Sequence, residues 1–238
     1  MGINQEDFVK AFVGALGEER VVKKLDDVIC QRLVKEIQEL RDVIKERDSR
    51  ITDLEKEVTS LKEALDQQEQ YTRRNNLRIT GIKEKETEDV AEMSMDLINK
   101  NVCELEPITI DDVDRVHRVG RRRDDGVPRP ILIRFSTYRA RQRVYTNRRK
   151  LNLRQRQGIP GRPWAGMTES GASNNIYVNE DLTRPRASML WRARRGKQEN
   201  KIKDCWSSDG NVLVKDSKGT VRSVRNEDEL SAIMSQSG

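Results

Sequence analysis

The sequence has few of the residues on which catalytic and metal sites depend. It contains one histidine, and its three cysteines make no paired metal-binding spacing. It also lacks the serine-centred and glycine-rich phosphate-binding motifs of common enzyme classes. The histidine, His117, lies between Arg115 and Arg118 with no identifiable acid or base partner. We therefore expect no catalytic site, no metal, no cofactor and no small-molecule substrate.

Long apolar runs and aromatic residues are also scarce. No run reaches the roughly 18 apolar residues that suggest a membrane-spanning helix, and aromatic residues make up 4% of the chain. With 34% hydrophobic and 36% charged residues, one large core is excluded, and a small core beside an extended helix is expected. Cys30, Cys103 and Cys205 form no even disulfide set, as is typical of a reducing compartment. We expect a soluble intracellular protein that does not bind membranes.

A seven-residue repeat of apolar side chains runs through residues 30–72. The first position of the heptad is occupied by Cys30, Ile37, Ile44, Ile51, Val58 and Leu65, and the fourth by Leu33, Leu40, Leu54 and Leu61. This pattern, uninterrupted by glycine or proline, predicts a long helix whose apolar seam packs against copies of itself in a coiled coil.

The heptad pattern alone does not determine how many helices form this coiled coil. Ile at the first position with Leu at the fourth favours a dimer. Residues 50–55, RITDLE, resemble a short trimer-specifying motif, in which Arg50 covers the seam and pairs with Glu55 of the adjacent helix. We favour a trimer, with a dimer and a chance charge pair as the alternative. The candidate oligomerisation residues are Ile37, Leu40, Ile44, Arg50, Ile51, Leu54, Glu55, Val58, Leu61 and Leu65.

The apolar period changes from seven to two after Asn76. Strands are predicted at 77–82, 113–119, 130–137 and 175–178. Two helices are also predicted: the first is capped by Thr87, and the second is capped by Ser136 or Thr137 and runs to about residue 151. The order β-α-β-β-α-β predicts an α+β fold with a four-stranded antiparallel sheet and two helices on one face. Residues 157–174, rich in Gly, Pro and Ser, predict a flexible loop, in which Trp164 either folds back or stacks on a base.

A small α+β module is predicted after residue 183. Thr183 and Pro185 are helix-start signals, and two glycine-containing turns separate three short strands before a last helix beginning near Asn226. The predicted organisation is an N-terminal segment (1–29), a coiled coil (30–72), an RNA-recognition-like domain (73–182) and a C-terminal α+β module (183–238).

Positive charge is concentrated in the second half of the chain. Residues 1–72 carry 12 Lys or Arg against 17 Asp or Glu, whereas residues 115–156 carry 15 against two. Fourteen of those 15 are Arg, whose planar guanidinium recognises phosphate and stacks on bases. The pattern predicts nucleic-acid binding, with a solvated charged surface as the alternative for the loop cluster Arg121, Arg122 and Arg123.

The predicted sheet lacks the aromatic residues with which RNA-recognition sheets usually stack bases on their central strands. Arg78, Pro130 and Leu132 stand at the corresponding positions. Phosphate contacts should therefore dominate, with little sequence preference and an affinity that falls steeply with salt.

Four segments together resemble the first-open-reading-frame protein of LINE-type retrotransposons and, more distantly, the baculovirus few-polyhedra protein. They are YTRRNNLRI (71–79), IDDVDRVHR (110–118), RPILIRF (129–135) and IYVNEDLT (176–183), and the similarity spans about residues 30–230. The long 157–174 loop departs from the family pattern.

The resemblance implies a homotrimer that binds single-stranded RNA cooperatively, acts as a nucleic-acid chaperone and packages retroelement RNA for transposition. It implies cytoplasmic ribonucleoprotein particles, with the nucleus as a further location, and leaves DNA open as a second ligand. The implied nucleic-acid contacts are Arg73, Arg74, Arg78, Arg115, Arg118, Arg134, Arg192, Arg194 and Arg195. The alternative is a coiled-coil scaffold or viral-type trafficking protein whose basic half docks a protein partner.

Overall fold

The structure is a computed structural model that describes residues 4–122, 126–151 and 176–235. The predicted loop 157–174, with Trp164, lies outside these residues. The chain divides into two compact units, Met1–Glu63 and Ala64–Gly238.

The first unit is helical. Helix α1 spans Gln5–Gly17, and helix α2 spans Glu19–Thr72 and thus continues into the second unit. The predicted long N-terminal helix is confirmed, but it begins before residue 30, because residues 19–29 contain no glycine or proline that would end it. The apolar side chains of the heptad seam, from Ile37 to Leu65, are 46–65% exposed.

The second unit contains a four-stranded antiparallel sheet. Its strands are β1 (Asn76–Thr80), β2 (Val113–Arg118), β3 (Ile131–Phe135) and β4 (Tyr177–Glu180), in the spatial order β2-β3-β1-β4. The predicted α+β class and antiparallel pairing are confirmed. Strand β1 ends before Gly81, which adopts a φ of 95° that other residues rarely adopt.

Helices α3 (Val90–Asn101) and α4 (Tyr138–Asn147) follow β1 and β3 and cover one face of this sheet. Helix α3 begins later than predicted, because the Asp89 carboxylate rather than Thr87 accepts a hydrogen bond from the first turn. Thr137 caps α4 as predicted. The shared core contains Leu77, Ile79, Leu97, Ile98, Ile131, Ile133, Phe135 and Val144, each at most 1% exposed.

The C-terminal part of the second unit has a core of its own. Helix α5 (Arg184–Gln198) packs with a sheet of β5 (Asp204–Ser208), β6 (Asn211–Lys215) and β7 (Val221–Val224), and helix α6 (Glu227–Ser235) follows. The turn between β5 and β6 places Asp209 and Gly210 at positive φ, as a two-residue hairpin turn requires. The predicted succession of helix, three strands and helix is confirmed.

The last turns of α2 are fastened to the connection between β4 and α5. The Gln70 amide, 6% exposed, donates to the Asp181 carbonyl oxygen at 3.1 Å and accepts from the Thr183 backbone N–H at 2.9 Å. A Cβ atom at Gly210 would lie 2.6 Å from the Gln70 side chain. Glycine is therefore required beside this amide, which fixes the end of α2 against the rest of the unit.

Gln70→Ala should lower the free energy of unfolding of this unit by about 1–3 kcal/mol, because it leaves a buried carbonyl and a buried N–H without partners. Urea unfolding followed by tryptophan fluorescence measures the change. The control is Gln67→Ala, at an exposed position one turn earlier and outside the heptad seam, which should change stability little. Equal stability of the two variants would contradict the role of Gln70.

Candidate nucleic-acid interface

The sheet face opposite α3 and α4 carries the candidate interface. Side chains alternate between the two faces along a strand, and residues directly opposite each other on neighbouring strands point to the same face. The residues of the open face are therefore those that alternate with the core residues of each strand. The register gives three cross-strand rows: Arg115, Arg134 and Asn76; His117, Leu132, Arg78 and Asn179; and Thr80 with Tyr177. Of these side chains, Arg115, His117, Arg134 and Tyr177 are exposed.

Arg115 and Arg134 are direct cross-strand partners on the open face. Like charges in this arrangement repel each other, and nearby carboxylates offset only part of the positive charge of the two arginines. Arg134 lies 3.1 Å from Asp114, but both side chains are more than half exposed, and Arg115 forms no ion pair with any residue in the described ranges. An anion such as a phosphate would relieve this repulsion.

Tyr177 is a feature of the face that sequence reasoning missed. Its ring is 45% exposed, on edge strand β4, beside Thr80 of β1. The sequence comparison considered aromatic residues on the two central strands only, and Tyr177 lies on an edge strand. Tyr177 alternates with the apolar residues Ile176 and Val178, and this pattern would have placed it on the open face. An exposed ring on this face can stack on a base.

Two of the predicted contact residues, Arg73 and Arg78, are held by a buried carboxylate. Asp181, whose side chain is 3% exposed, accepts from Arg73 at 3.2 Å, from Arg78 at 2.6 Å and from the Asn76 amide at 3.1 Å. The two arginine side chains remain 29% and 32% exposed. These arginines therefore stabilise the junction of α2, β1 and β4 while keeping one side open to solvent.

Arg118, also a predicted contact residue, has a buried side chain and supports the fold. It lies on the covered face of β2, where its side chain is 4% exposed and its guanidinium donates to both oxygens of Glu88 and to the carbonyls of Ile82, Lys83 and Arg129. These bonds hold the pKa of the Glu88 carboxyl below its usual range. All of its hydrogen-bonding capacity serves the fold, so we leave Arg118 out of the interface.

A second arginine pair secures the same end of the sheet. Glu84 accepts from the Arg129 guanidinium at 2.7 Å and from its backbone N–H at 2.7 Å. These two bonds are the main reason that the pKa of Glu84 falls to about 2. The pair closes the segment after β1 over the start of β3, and arginine here again supports the fold.

The other predicted arginines lie outside the sheet. Arg74 stacks on the Tyr71 ring at 4.0 Å, and Arg121 and Arg122 are exposed in the loop after β2, whereas Arg123 lies outside the described residues. On α5, Arg192 pairs with Glu227, Arg194 is exposed and Arg195 lies 5.2 Å from the Trp191 ring centroid. Those of these arginines that the structure describes are accessible to an anionic ligand, but they do not belong to the open face.

The described residues contain no group of three or more His, Cys, Asp or Glu side chains that could hold a metal. In the same part of the chain, no helix is both long enough and apolar enough to cross a bilayer.

No protein-family model matches the chain, and no curated protein matches it.

Arg118→Met should lower the free energy of unfolding by about 3 kcal/mol or more, because it leaves the Glu88 carboxylate, whose side chain is 11% exposed, without its partner. The matched control Arg115→Met, on the open face of the same strand, should stay within about 0.5 kcal/mol of the parent protein. Urea unfolding at neutral pH measures both. Comparable stability of the two variants would show that Arg118 is not a structural residue.

Proposed function

We propose that the protein is a non-enzymatic, self-associating protein that binds single-stranded RNA with low sequence specificity. The observation that carries the proposal is the open sheet face, where Arg115 opposes Arg134 and both are exposed. Two exposed arginines on neighbouring strands, with Asp114 as the one carboxylate paired to them in the described residues, can bind phosphate. Nothing in the fold requires that arrangement, since each arginine points away from the core.

The order of elements supports an RNA-recognition-like domain. Helices follow β1 and β3, and the sheet runs β2-β3-β1-β4 with both helices on one face. RNA-recognition modules use such a four-stranded sheet, with its open face toward the RNA. In this protein Arg78 and Leu132 stand opposite each other at the centre of that face. The centre therefore favours backbone contacts over base stacking, in agreement with low sequence specificity.

The long helix supports self-association. Its apolar seam remains 46–65% exposed in the single chain, and contiguous exposed apolar surface of this kind marks protein interfaces. The heptad spacing suits a coiled coil, and the RITDLE segment favours a trimer over a dimer. A trimer would link three weak RNA sites, which can raise avidity a hundredfold or more when the geometry permits.

The resemblance to LINE-type retrotransposon proteins supports a biological role. In this proposal the trimer coats retroelement RNA, acts as a nucleic-acid chaperone, and forms a ribonucleoprotein particle that is cytoplasmic and also enters the nucleus. The competing proposal, a coiled-coil scaffold whose basic half binds a protein, predicts no dependence of RNA binding on the open face.

Arg115→Ala combined with Arg134→Ala should weaken binding of a single-stranded RNA of some tens of nucleotides by roughly tenfold or more. The loss should be similar for every sequence, and the salt slope should fall by about 0.7 for each phosphate contact removed. Fluorescence anisotropy across a salt series measures both. These residues make a cleaner test than Arg73 and Arg78, whose removal would also strand the buried Asp181.

The matched control is Lys218→Ala combined with Arg225→Ala, which removes the same charge from exposed positions of the C-terminal module. It should retain most of the affinity. Equal losses of affinity in the two double variants would mean that RNA binding depends on net charge and not on the open face. Wild-type protein that does not bind RNA at any salt concentration would favour the scaffold proposal.

Ile51→Asp combined with Leu54→Asp should yield monomers, because charged residues in the seam oppose its burial. Light scattering should give the 27.6 kDa chain mass for the variant and three times that mass for the parent protein. The second unit should stay folded, and binding of long RNA should weaken much more than binding of short RNA.

The control for this experiment is Thr52→Asp combined with Ser60→Asp, which adds the same charge at heptad positions outside the seam. It should keep the parent mass. A seam variant that keeps the parent mass would refute the coiled coil, and a parent mass of two chains would establish the dimer.

A further inference from the structure

Trp191 lies on the outer side of α5 and takes no part in the core of the C-terminal module. That core includes Met189, Leu190 and Ala193 from the helix, whereas Trp191 is 57% exposed. Tryptophan is among the largest apolar side chains, and leaving more than half of it in water forgoes much of the stability that its burial would provide. The indole therefore contributes little to the packing of this module and is accessible to a ligand.

Three arginines share the exposed face of α5 with Trp191. Residues three, four and seven apart lie on one side of a helix. The arginines at those distances from Trp191, all of them exposed, are Arg184, Arg194 and Arg195. The other members of this face are uncharged: Ala187, Ser188 and Gln198. The face thus presents one large aromatic ring surrounded by positive charge, without a carboxylate among its members.

Acidic side chains around this helix pair with other cations. The pairs are Glu227 with Arg192, Asp204 with Lys197 at 2.6 Å, and Glu199 with Lys201 at 2.8 Å. The hydrogen bond from Lys201 is the main reason that the pKa of Glu199 lies below its usual range, and Arg195 contributes less. The three arginines of the face form no ion pair with any residue in the described ranges. Their positive charge is therefore available to an anionic ligand.

Arg195 also restricts the indole. Its guanidinium lies 5.2 Å from the centroid of the Trp191 ring, which is close enough for a cation–π contact. A ring that is already restricted loses less side-chain entropy when a flat ligand stacks on it. A nucleotide stacked on this ring would also bring its phosphate close to the charge of Arg195.

The combination of an exposed indole and unpaired arginines favours single-stranded nucleic acid over other anionic partners. Its bases stack on aromatic rings while cations hold its phosphates, and bases are free to stack in this way when they are not paired in a duplex. A membrane surface would require a broad apolar stripe, which one indole among small and polar side chains does not provide. An acidic peptide would neutralise the arginines without using the indole.

We propose that the exposed face of α5 is a second single-stranded RNA site, in which Trp191 stacks on one base and Arg184 and Arg194 contact the flanking phosphates. Arg184 precedes Trp191 by seven residues, or about 10 Å along the helix, and Arg194 follows it by three, so the two arginines lie on opposite sides of the stacked base. The proposal rests on the proposed RNA binding and deepens it, since it adds a stacking residue away from the sheet. Every base has a flat face, so the site should accept all four bases.

Trp164→Phe combined with Trp206→Phe leaves Trp191 as the only tryptophan of the full-length protein. Its fluorescence should fall when a uridine oligomer of some tens of nucleotides is added, because a stacked base quenches indole emission. Inorganic polyphosphate and polyglutamate, which are anions without bases, should leave most of the emission unchanged. Equal quenching by either of these anions would identify a general anion site and overturn base stacking.

A second measurement keeps the other two tryptophans. Trp191→Ala should weaken binding of the same oligomer in fluorescence anisotropy by about tenfold, whereas Trp191→Phe, which keeps a ring, should lose less. Both variants should unfold at the urea concentration of the parent protein, because Trp191 lies outside the core. Arg184→Ala combined with Arg194→Ala should weaken binding of both RNA and polyphosphate.

The outcomes separate this site from the proposed function. RNA binding by the parent protein, with equal affinities of the two Trp191 variants and unchanged Trp191 emission, would overturn the α5 site and leave the proposed function standing. Absence of any RNA binding by the parent protein would overturn both.

Discussion

The buried carboxylate of Asp181 is the constraint around which the second unit is arranged. A carboxylate that is 3% exposed is tolerated when charged and polar donors surround it, and Arg73, Asn76 and Arg78 supply those donors. Its backbone carbonyl accepts from Gln70. One residue at the end of β4 thus fixes the last turn of α2, strand β1 and the start of the C-terminal part. Any surface formed by these elements depends on that arrangement.

The same constraint separates two uses of arginine. Arg118, Arg129 and Arg141 satisfy carboxylates within the fold, whereas Arg115 and Arg134 lie side by side on the open face. A count of arginines in the sequence includes both the structural arginines and the exposed ones. It therefore overstates the number of arginines that are available to bind a ligand. The structural pairs hold the sheet and its loops rigid, and the remaining arginines form a smaller patch whose contribution to RNA binding we expect to be larger per residue.

Much of the architecture was predictable from local pattern. The long helix, the strands and the Thr137 cap follow from spacing and capping rules, and alternation along β2 could have separated Arg115 from Arg118, which lie three residues apart and so on opposite faces. The Asp181 cluster could not be predicted, because its partners are more than 100 residues apart in the chain.

In the proposed trimer, weak contacts serve the function better than strong ones. A chaperone must let strands exchange, so each open face should bind phosphate with modest affinity and release it quickly. The coiled coil would then supply avidity by keeping three such faces on one RNA. In the proposed trimer, retention on the RNA would thus come from the coil, and contact with the phosphates would come from the open sheet faces.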